Sequence, residues 1–200
     1  MRGSLRPAPK LGVRGALMLP CTSGKQLQKQ TEREELLKIS AFFATIASPL
    51  GPLLLASDNG GLREIRFPNG KQSAKAKTEW QENSTQLKEV TRQLRAYFAG
   101  DLETFDLPLA PEGTPFQQQV WGELCKIPYG ETISYGELAR RIGNPNACRA
   151  VGLANGSNPI PIVIPCHRVI GANGKLTGYG GGLPIKEKLL ALEKRQLQLL

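Results

Sequence analysis

The stretch that leaves this chain least freedom is Ile164-Pro165-Cys166-His167-Arg168-Val169-Ile170. An apolar run from Ile160 to Ile164 leads into it, punctuated by Pro159, Pro161 and Pro165, and a glycine-rich loop from Gly171 to Gly182 follows. Proline fixes φ and glycine frees it, so the backbone passes here from its stiffest to its loosest. The single histidine of the chain stands in this stretch, directly beside one of four cysteines. A thiol is a strong nucleophile only as the thiolate, and a neighbouring imidazole is the usual side chain that produces one near neutral pH. Adjacent residues on an extended chain point to opposite faces. Cys166 and His167 therefore cooperate only if the backbone turns sharply or a water bridges them. A carboxylate later in the chain is the candidate to orient the imidazole. The blander alternative is a cysteine packed as a small hydrophobe beside a structural histidine. By composition alone that is the commoner case, because free cysteine is among the most buried residue types.

Two hundred residues suffice for one domain or two small ones. No run is long and apolar enough to span a bilayer. Cys21, Cys125, Cys148 and Cys166 show neither CxxC spacing nor a regular framework, and one histidine makes no Cys/His zinc pattern. The cysteines read as reduced thiols of an intracellular protein, cytoplasmic in a prokaryote and nuclear in a eukaryote. The net charge of +9 is unevenly placed: +6 over residues 1–31, −2 over 32–114 and +5 over 115–200. A basic half that also holds the reactive stretch suits a polyanionic partner, although +5 is also an ordinary solubility charge.

Residues 1–38 read as a disordered basic leader, rich in Gly, Pro, Arg and Ser, with a short charged helical piece over Thr31–Ile39. An organelle transit peptide is the minority alternative. Residues 39–110 read as an α/β unit. Ala41–Ala47 and Leu53–Ser57 are apolar and strand-like, Asp58-Asn59-Gly60-Gly61 is a hairpin signal, and Leu62–Phe67 alternates. A helix over Ser84–Phe98 carries the stripe Leu87, Val90, Leu94 and Tyr97, read as core packing, and Gly100 stops it. Gly100 to Gly113 looks like an extended linker.

Residues 111–200 read as helical. Thr114-Pro115 opens a helix whose apolar face includes Phe116, Val120, Trp121, Leu124 and Cys125, which places Cys125 in the core. Ser134-Tyr135-Gly136-Glu137 is a capping box. That helix, the turn Gly143-Asn144-Pro145-Asn146 and a helix over Ala147–Asn155 have the spacing of a helix-turn-helix, a common pattern. The second of these helices is nearly bare: Ala147, Ala150, Gly152 and Ala154 leave Arg149 standing out, with Cys148 beside it read as buried packing. A bare helix packs closely on protein or enters a narrow groove. Pro184 to Gln196 is a last helix carrying Glu193.

The Pro-Cys-His-Arg-Val core, Asn158 to Arg168, and the Gly-Tyr-Gly-Gly-Gly loop from Gly178 to Gly182 resemble the active site of the O6-alkylguanine-DNA alkyltransferases. The resemblance runs from Phe116 to Glu193 and takes in Tyr135 and Arg149. It implies an α+β fold: a small ribonuclease-H-like sheet-plus-helix domain, then an all-helical DNA-binding and alkyl-acceptor domain with a helix-turn-helix. It implies direct, irreversible transfer of an alkyl group from O6 of guanine, with O4 of thymine a further candidate, to Cys166, once per molecule. Under it His167 takes the thiol proton, Glu193 holds His167, and Tyr135 donates toward the purine. Arg149, with Ala150, Gly152 and Tyr135, enters the minor groove of double-stranded DNA, where Arg149 replaces the extruded nucleotide.

The same resemblance has Asn158 brace the helix-turn-helix, Pro161 wall the pocket, and Cys166 and Val169 offer carbonyls to the guanine amino group. The loop at Tyr179 and Gly180 contacts the base. Many relatives have serine where this chain has Gly180, which leaves only a backbone donor there. No cofactor, no metal and a monomer are expected. The rival readings are a DNA-binding protein with a sensor cysteine that recognises alkylated bases without transfer, and a thiol hydrolase.

Overall fold

The computed structural model describes residues 41–70 and 75–197. The expected leader over 1–38 and the helical piece over Thr31–Ile39 lie outside the described residues.

Three strands form an antiparallel meander: β1 (Ala41–Ile46), β2 (Leu53–Asp58) and β3 (Gly61–Arg66). β2 lies between the other two, pairing Ala44 with Leu55 and Leu55 with Ile65. Its residues Leu53 to Ser57 are all buried, which is why its sequence runs apolar where β3 alternates. A fourth strand, β4 (Trp80–Glu82), adds parallel to β1. The sequence gives no sign of it, because three largely exposed residues carry no periodicity. The hairpin turn closes with Gly60 N–H donating to Asp58 Oδ1 at 2.7 Å.

Helix α1 (Lys88–Ala99) begins four residues after the predicted start, since Ser84–Leu87 forms a turn. Gly100 ends it in the left-handed conformation, φ 91°. The following segment is no free linker. Asp106 is held by the Gln93 amide in both directions, at 2.8 and 2.9 Å. Leu62 N–H donates to Pro108 O at 2.8 Å and Ala110 N–H to Leu62 O at 2.9 Å.

Helix α2 (Pro115–Leu124) starts with a full capping box between Thr114 and Gln117. Cys125 is its C-cap and is exposed; the predicted core position is thus corrected, because the apolar stripe ends at Leu124. Ile133–Ser134 is a short strand, β5, that pairs in parallel with β6 (Val169–Ile170). Helix α3 (Tyr135–Arg141) is capped by Ser134 Oγ, which accepts from Glu137 N–H at 3.1 Å. Only half of the expected capping box forms: the Glu137 carboxylate pairs with Arg140 and Arg141. A left-handed Gly143, φ 79°, and a 3₁₀ turn over Pro145–Ala147 lead into α4 (Cys148–Gly156), completing the helix-turn-helix. Trp121 Nε1 ties α2 to α4 by donating to Ala154 O at 2.8 Å. Helix α5 (Leu183–Leu197) closes the chain.

One apolar core runs from the sheet through α1 to the helices, from Leu53, Leu55 and Leu94 to Leu138, Val151 and Ile164. Sheet and reactive segment also meet directly. Ile65 N–H donates to Pro159 O at 2.9 Å, and the Phe67 and Tyr179 rings lie 5.9 Å apart. A Cβ on Gly181 would stand 2.6 Å from the Phe67 ring, so the glycine loop approaches the sheet as only glycine allows. No helix of the described residues is long and apolar enough to cross a membrane.

Gly61 is the most constrained position of the meander: φ is 132° and a Cβ would lie 2.2 Å from Pro108 O. Gly61→Ala is expected to cost about 2 kcal/mol or more, from strain plus displacement of the pinned segment. That lowers Tm by roughly 4–8 °C for a domain of this size, measured by differential scanning calorimetry. An unchanged Tm would show that the segment relaxes freely.

Candidate active site

The geometry starts before the cysteine. Asn158, two residues beyond α4, accepts from Ile160 N–H at 3.0 Å and donates to Ile164 O at 2.8 Å. This clamp folds Pro159–Ile164 into a tight loop in which Ile162 adopts φ 80° while buried. A β-branched residue there carries on the order of 1–3 kcal/mol of strain. Cys166 N–H then donates to Ile164 O at 2.8 Å, and Cys166–Arg168 turns as a 3₁₀ helix. The sharp turn is how adjacent residues come to serve one site. Asn155 Nδ2 supports the Cys166 carbonyl at 3.5 Å. The β5–β6 pairing sets Tyr135, the first residue of α3, against the segment that follows the turn.

Glu193, fully buried on α5, gathers the site. It accepts from His167 Nε2 at 2.8 Å, the Tyr97 hydroxyl at 2.8 Å, Gly130 N–H at 2.9 Å, and Arg168 Nη2 at 2.9 Å and Nε at 3.0 Å. Arg168 Nη1 also donates to Ile127 O at 2.6 Å, and its guanidinium faces the Tyr129 ring at 5.5 Å. Burial by itself would push the Glu193 carboxyl up. The hydrogen bonds and charges of His167 and Arg168 outweigh it and hold the group at about 2. Burial pushes the His167 imidazole down against the pull of Glu193, so it is neutral at pH 7. A neutral imidazole bonded to a carboxylate carries its proton on the bonded nitrogen. Nε2 is therefore the donor, and Nδ1, buried with no partner among the described residues, holds a free lone pair.

Cys166 is buried, and burial pushes its thiol up to about 11, opposed by a hydrogen bond from Asn158 and the charge of Lys186. Cys166 rests as a thiol, unlike the thiolate that the Cys-His adjacency suggests. The Tyr179 hydroxyl faces the same sulfur and has no other partner among the described residues. Burial raises the Tyr135 phenol, which interacts with Thr177 and senses the Cys166 charge.

Two clefts meet the site. Asn158, Pro161, Cys166 and Gly180 line one, with Phe67 and Asn155. Tyr135, Arg149, Gly152, Leu153, Thr177 and Tyr179 line the other. Arg149 and Ala150 are exposed, and Gly152 lies over the Tyr135 ring, where a Cβ would sit at 3.8 Å. Leu153 is 73 % exposed on the same helix. Cys148 is exposed at the start of α4, which corrects its reading as buried packing. Open space surrounds Gly180. Val169 O already accepts from Lys186 Nζ at 2.5 Å. The sequence reading of Glu193 with His167 thus corresponds to a direct contact. It missed Tyr97, Gly130, Arg168 and Lys186: a helical tyrosine and lysine look like core and surface, and only the fold brings them to the site.

A buried thiol set beside a helix-turn-helix is the arrangement that the resemblance to the DNA alkyltransferases implies. Comparison with known proteins agrees. Residues 41–111 match the family described as 6-O-methylguanine DNA methyltransferase, ribonuclease-like domain, and residues 115–195 match its DNA binding domain. The chain belongs to the 6-O-methylguanine DNA methyltransferase family. It is 59 % identical over 152 residues to the methylated-DNA–protein-cysteine methyltransferase of Methanosarcina acetivorans, covering 76 % of this chain and 97 % of that one. It is 54 % identical over 152 residues to that of Mycobacterium tuberculosis, covering 76 % and 92 %. A crystal structure of M. tuberculosis OGT in complex with DNA superposes with a TM-score of 0.72 at 52 % identity, covering 78 % of this chain and 94 % of that one.

Glu193 titrates near 4.5 when unfolded and about 2 when folded, so the unfolded chain takes up its proton first. His167 is likewise shifted down. Both contributions are present at pH 7 and are lost as pH falls, His167 beginning near 6.5 and Glu193 between 4.5 and 2. Urea unfolding against pH is expected to show this decline. Glu193→Gln should flatten the portion below 4.5 and cost about 3–5 kcal/mol at pH 7, because buried Arg168 loses its counter-charge. A variant with unchanged midpoint would remove Glu193 as the centre of the network.

Proposed function

We propose that the chain repairs DNA by moving an alkyl group from O6 of guanine to Cys166. The observation that supports this reading is the unpartnered Nδ1 of His167, whose other nitrogen is fixed by Glu193, in a turn whose preceding residue is the buried Cys166. The thiol proton passes to Nδ1, through a water, as sulfur attacks the alkyl carbon. The S–C bond forms, the C–O6 bond breaks, and its electron pair stays with the guanine. Tyr135 donates toward the purine ring to neutralise that charge, and the proton balance closes with guanine gaining what the thiol lost. The product is a thioether that nothing in the site reverses, so each molecule acts once.

The target atom lies inside a duplex, so the base leaves the stack at a cost of a few kcal/mol. In this reading α4 enters the minor groove, with Arg149 in the vacated space and the exposed Ala150 and half-buried Gly152 allowing close approach. The base rests between Pro161 and the loop at Tyr179 and Gly180, with the Gly180 N–H toward O6. Asn158 holds the cysteine segment in place. The similar protein from M. tuberculosis named OGT is solved in complex with DNA, which supports the DNA partner. O4-alkylthymine is a second donor to test, and one protein molecule suffices per lesion.

Peptide mass spectrometry after mixing with a duplex holding one O6-methylguanine should find one methyl on the Cys166 peptide and none in Cys166→Ala, which keeps DNA binding. Binding without any adduct would leave the sensor-cysteine reading. Arg149→Ala should slow reaction with the duplex by roughly tenfold or more while sparing free O6-benzylguanine, given an unstacking cost of a few kcal/mol. Equal losses on both substrates would remove Arg149 from base extrusion.

A further inference from the structure

Three buried side-chain atoms near Cys166 have no hydrogen-bond partner among the described residues: His167 Nδ1, the Tyr179 hydroxyl and Asn155 Oδ1. The first has its place in the chemistry above, and the second faces the sulfur. The third is unaccounted for. Asn155 stands near the C-terminal end of α4 and is only 2 % exposed. With Cys166, Pro161 and Gly180 it lines the cleft assigned to the base. The orientation of its amide follows from its neighbour. The Cys166 carbonyl, 3.5 Å from Nδ2, can only accept, so the amide nitrogen faces it and the oxygen is left over. A buried amide oxygen without a donor costs stability, and native proteins keep few of them.

Resting on the alkyl-transfer reading, we propose that Asn155 is a specificity-determining residue whose Oδ1 accepts a hydrogen bond from the 2-amino group of the alkylated guanine. The chemistry of the base singles out that group. Alkylation at O6 removes the N1 proton, so N1, N3, N7 and the ether oxygen are all acceptors. In DNA the remaining ring nitrogen, N9, carries the sugar. The 2-amino group is then the only donor on the base, and Oδ1 is an acceptor without a donor. A purine that lacks the amino group leaves Oδ1 unpaired in a filled cleft, and that penalty is what discriminates. Nδ2 stays on the Cys166 carbonyl, so reading the base and supporting the cysteine turn pass through one amide. In this reading α4 serves at both ends: Arg149 near its start fills the vacated stack, and Asn155 near its end reads the base.

The test compares two single-stranded oligonucleotides, identical except that one holds O6-methylguanine and the other O6-methylhypoxanthine, which lacks the 2-amino group. Single strands leave out the cost of extruding the base. The rate of Cys166 methylation is followed by mass spectrometry in the wild type and in Asn155→Leu, which keeps the branched shape and removes the acceptor. The wild type is expected to favour O6-methylguanine by roughly tenfold or more, and the variant to lose about tenfold of that preference. Taking the ratio of the two rates within each protein cancels any general loss, so a merely structural asparagine leaves the ratio unmoved. A wild type that does not discriminate, or an undiminished preference in the variant, overturns the role of Asn155. No Cys166 adduct with either oligonucleotide in the wild type overturns the transfer reading itself. Should Asn155→Leu fail to fold, Asn155→Ala, which adds no bulk, is measured in its place: a diminished preference supports the role and an undiminished one overturns it.

Discussion

Everything at the site hangs on the buried carboxylate of Glu193. Five donors from three separate parts of the chain converge on its two oxygens: the Tyr97 hydroxyl from α1, Gly130 N–H from the loop before β5, and, from the cysteine turn, His167 and two nitrogens of Arg168. A buried carboxylate is tolerable only when its lone pairs are used and a cation is near, and here both conditions hold. The same bonds fix the tautomer of His167 and so decide which nitrogen can act as a base. Stability and chemistry therefore share one atom pair, and the sheet-bearing half contributes to both through Tyr97.

A second constraint acts on the backbone. The Asn158 clamp and the left-handed Ile162 hold the cysteine segment in a shape its sequence would not adopt alone. Strain of this kind persists only where the surroundings over-determine it. The β6 pairing with β5, the Ile65 bond to Pro159 and the Asn155 contact supply that surrounding. The sulfur is thereby held on a rigid support at the edge of the cleft that Cys166 lines with Asn158 and Pro161.

The electrostatics of the resting state follow from burial. The thiol is protonated, the imidazole neutral, the phenols protonated and Glu193 ionised. The exposed cysteines, Cys125 and Cys148, lack these surroundings.

Much of this was legible in the residues. Periodicity and turn chemistry located the meander, the α1 stripe, the Thr114 and Ser134 caps and the helix-turn-helix, because each depends on neighbours within a few positions. The contact of Glu193 with His167 was legible too, through family resemblance alone, since a helical glutamate by itself reads as solvated surface. What the chain's local pattern could not carry was long-range: strand β4, too short to have a period; Tyr97, indistinguishable from core; Cys125 and Cys148, whose exposure depends on where a stripe ends; and Lys186, a lysine among lysines until the fold buries it. The sequence by itself determined which groups can do chemistry and which local elements carry them. Only the tertiary structure decided their ionisation, because charge state depends on desolvation and on partners that folding brings from 25 to 96 residues away.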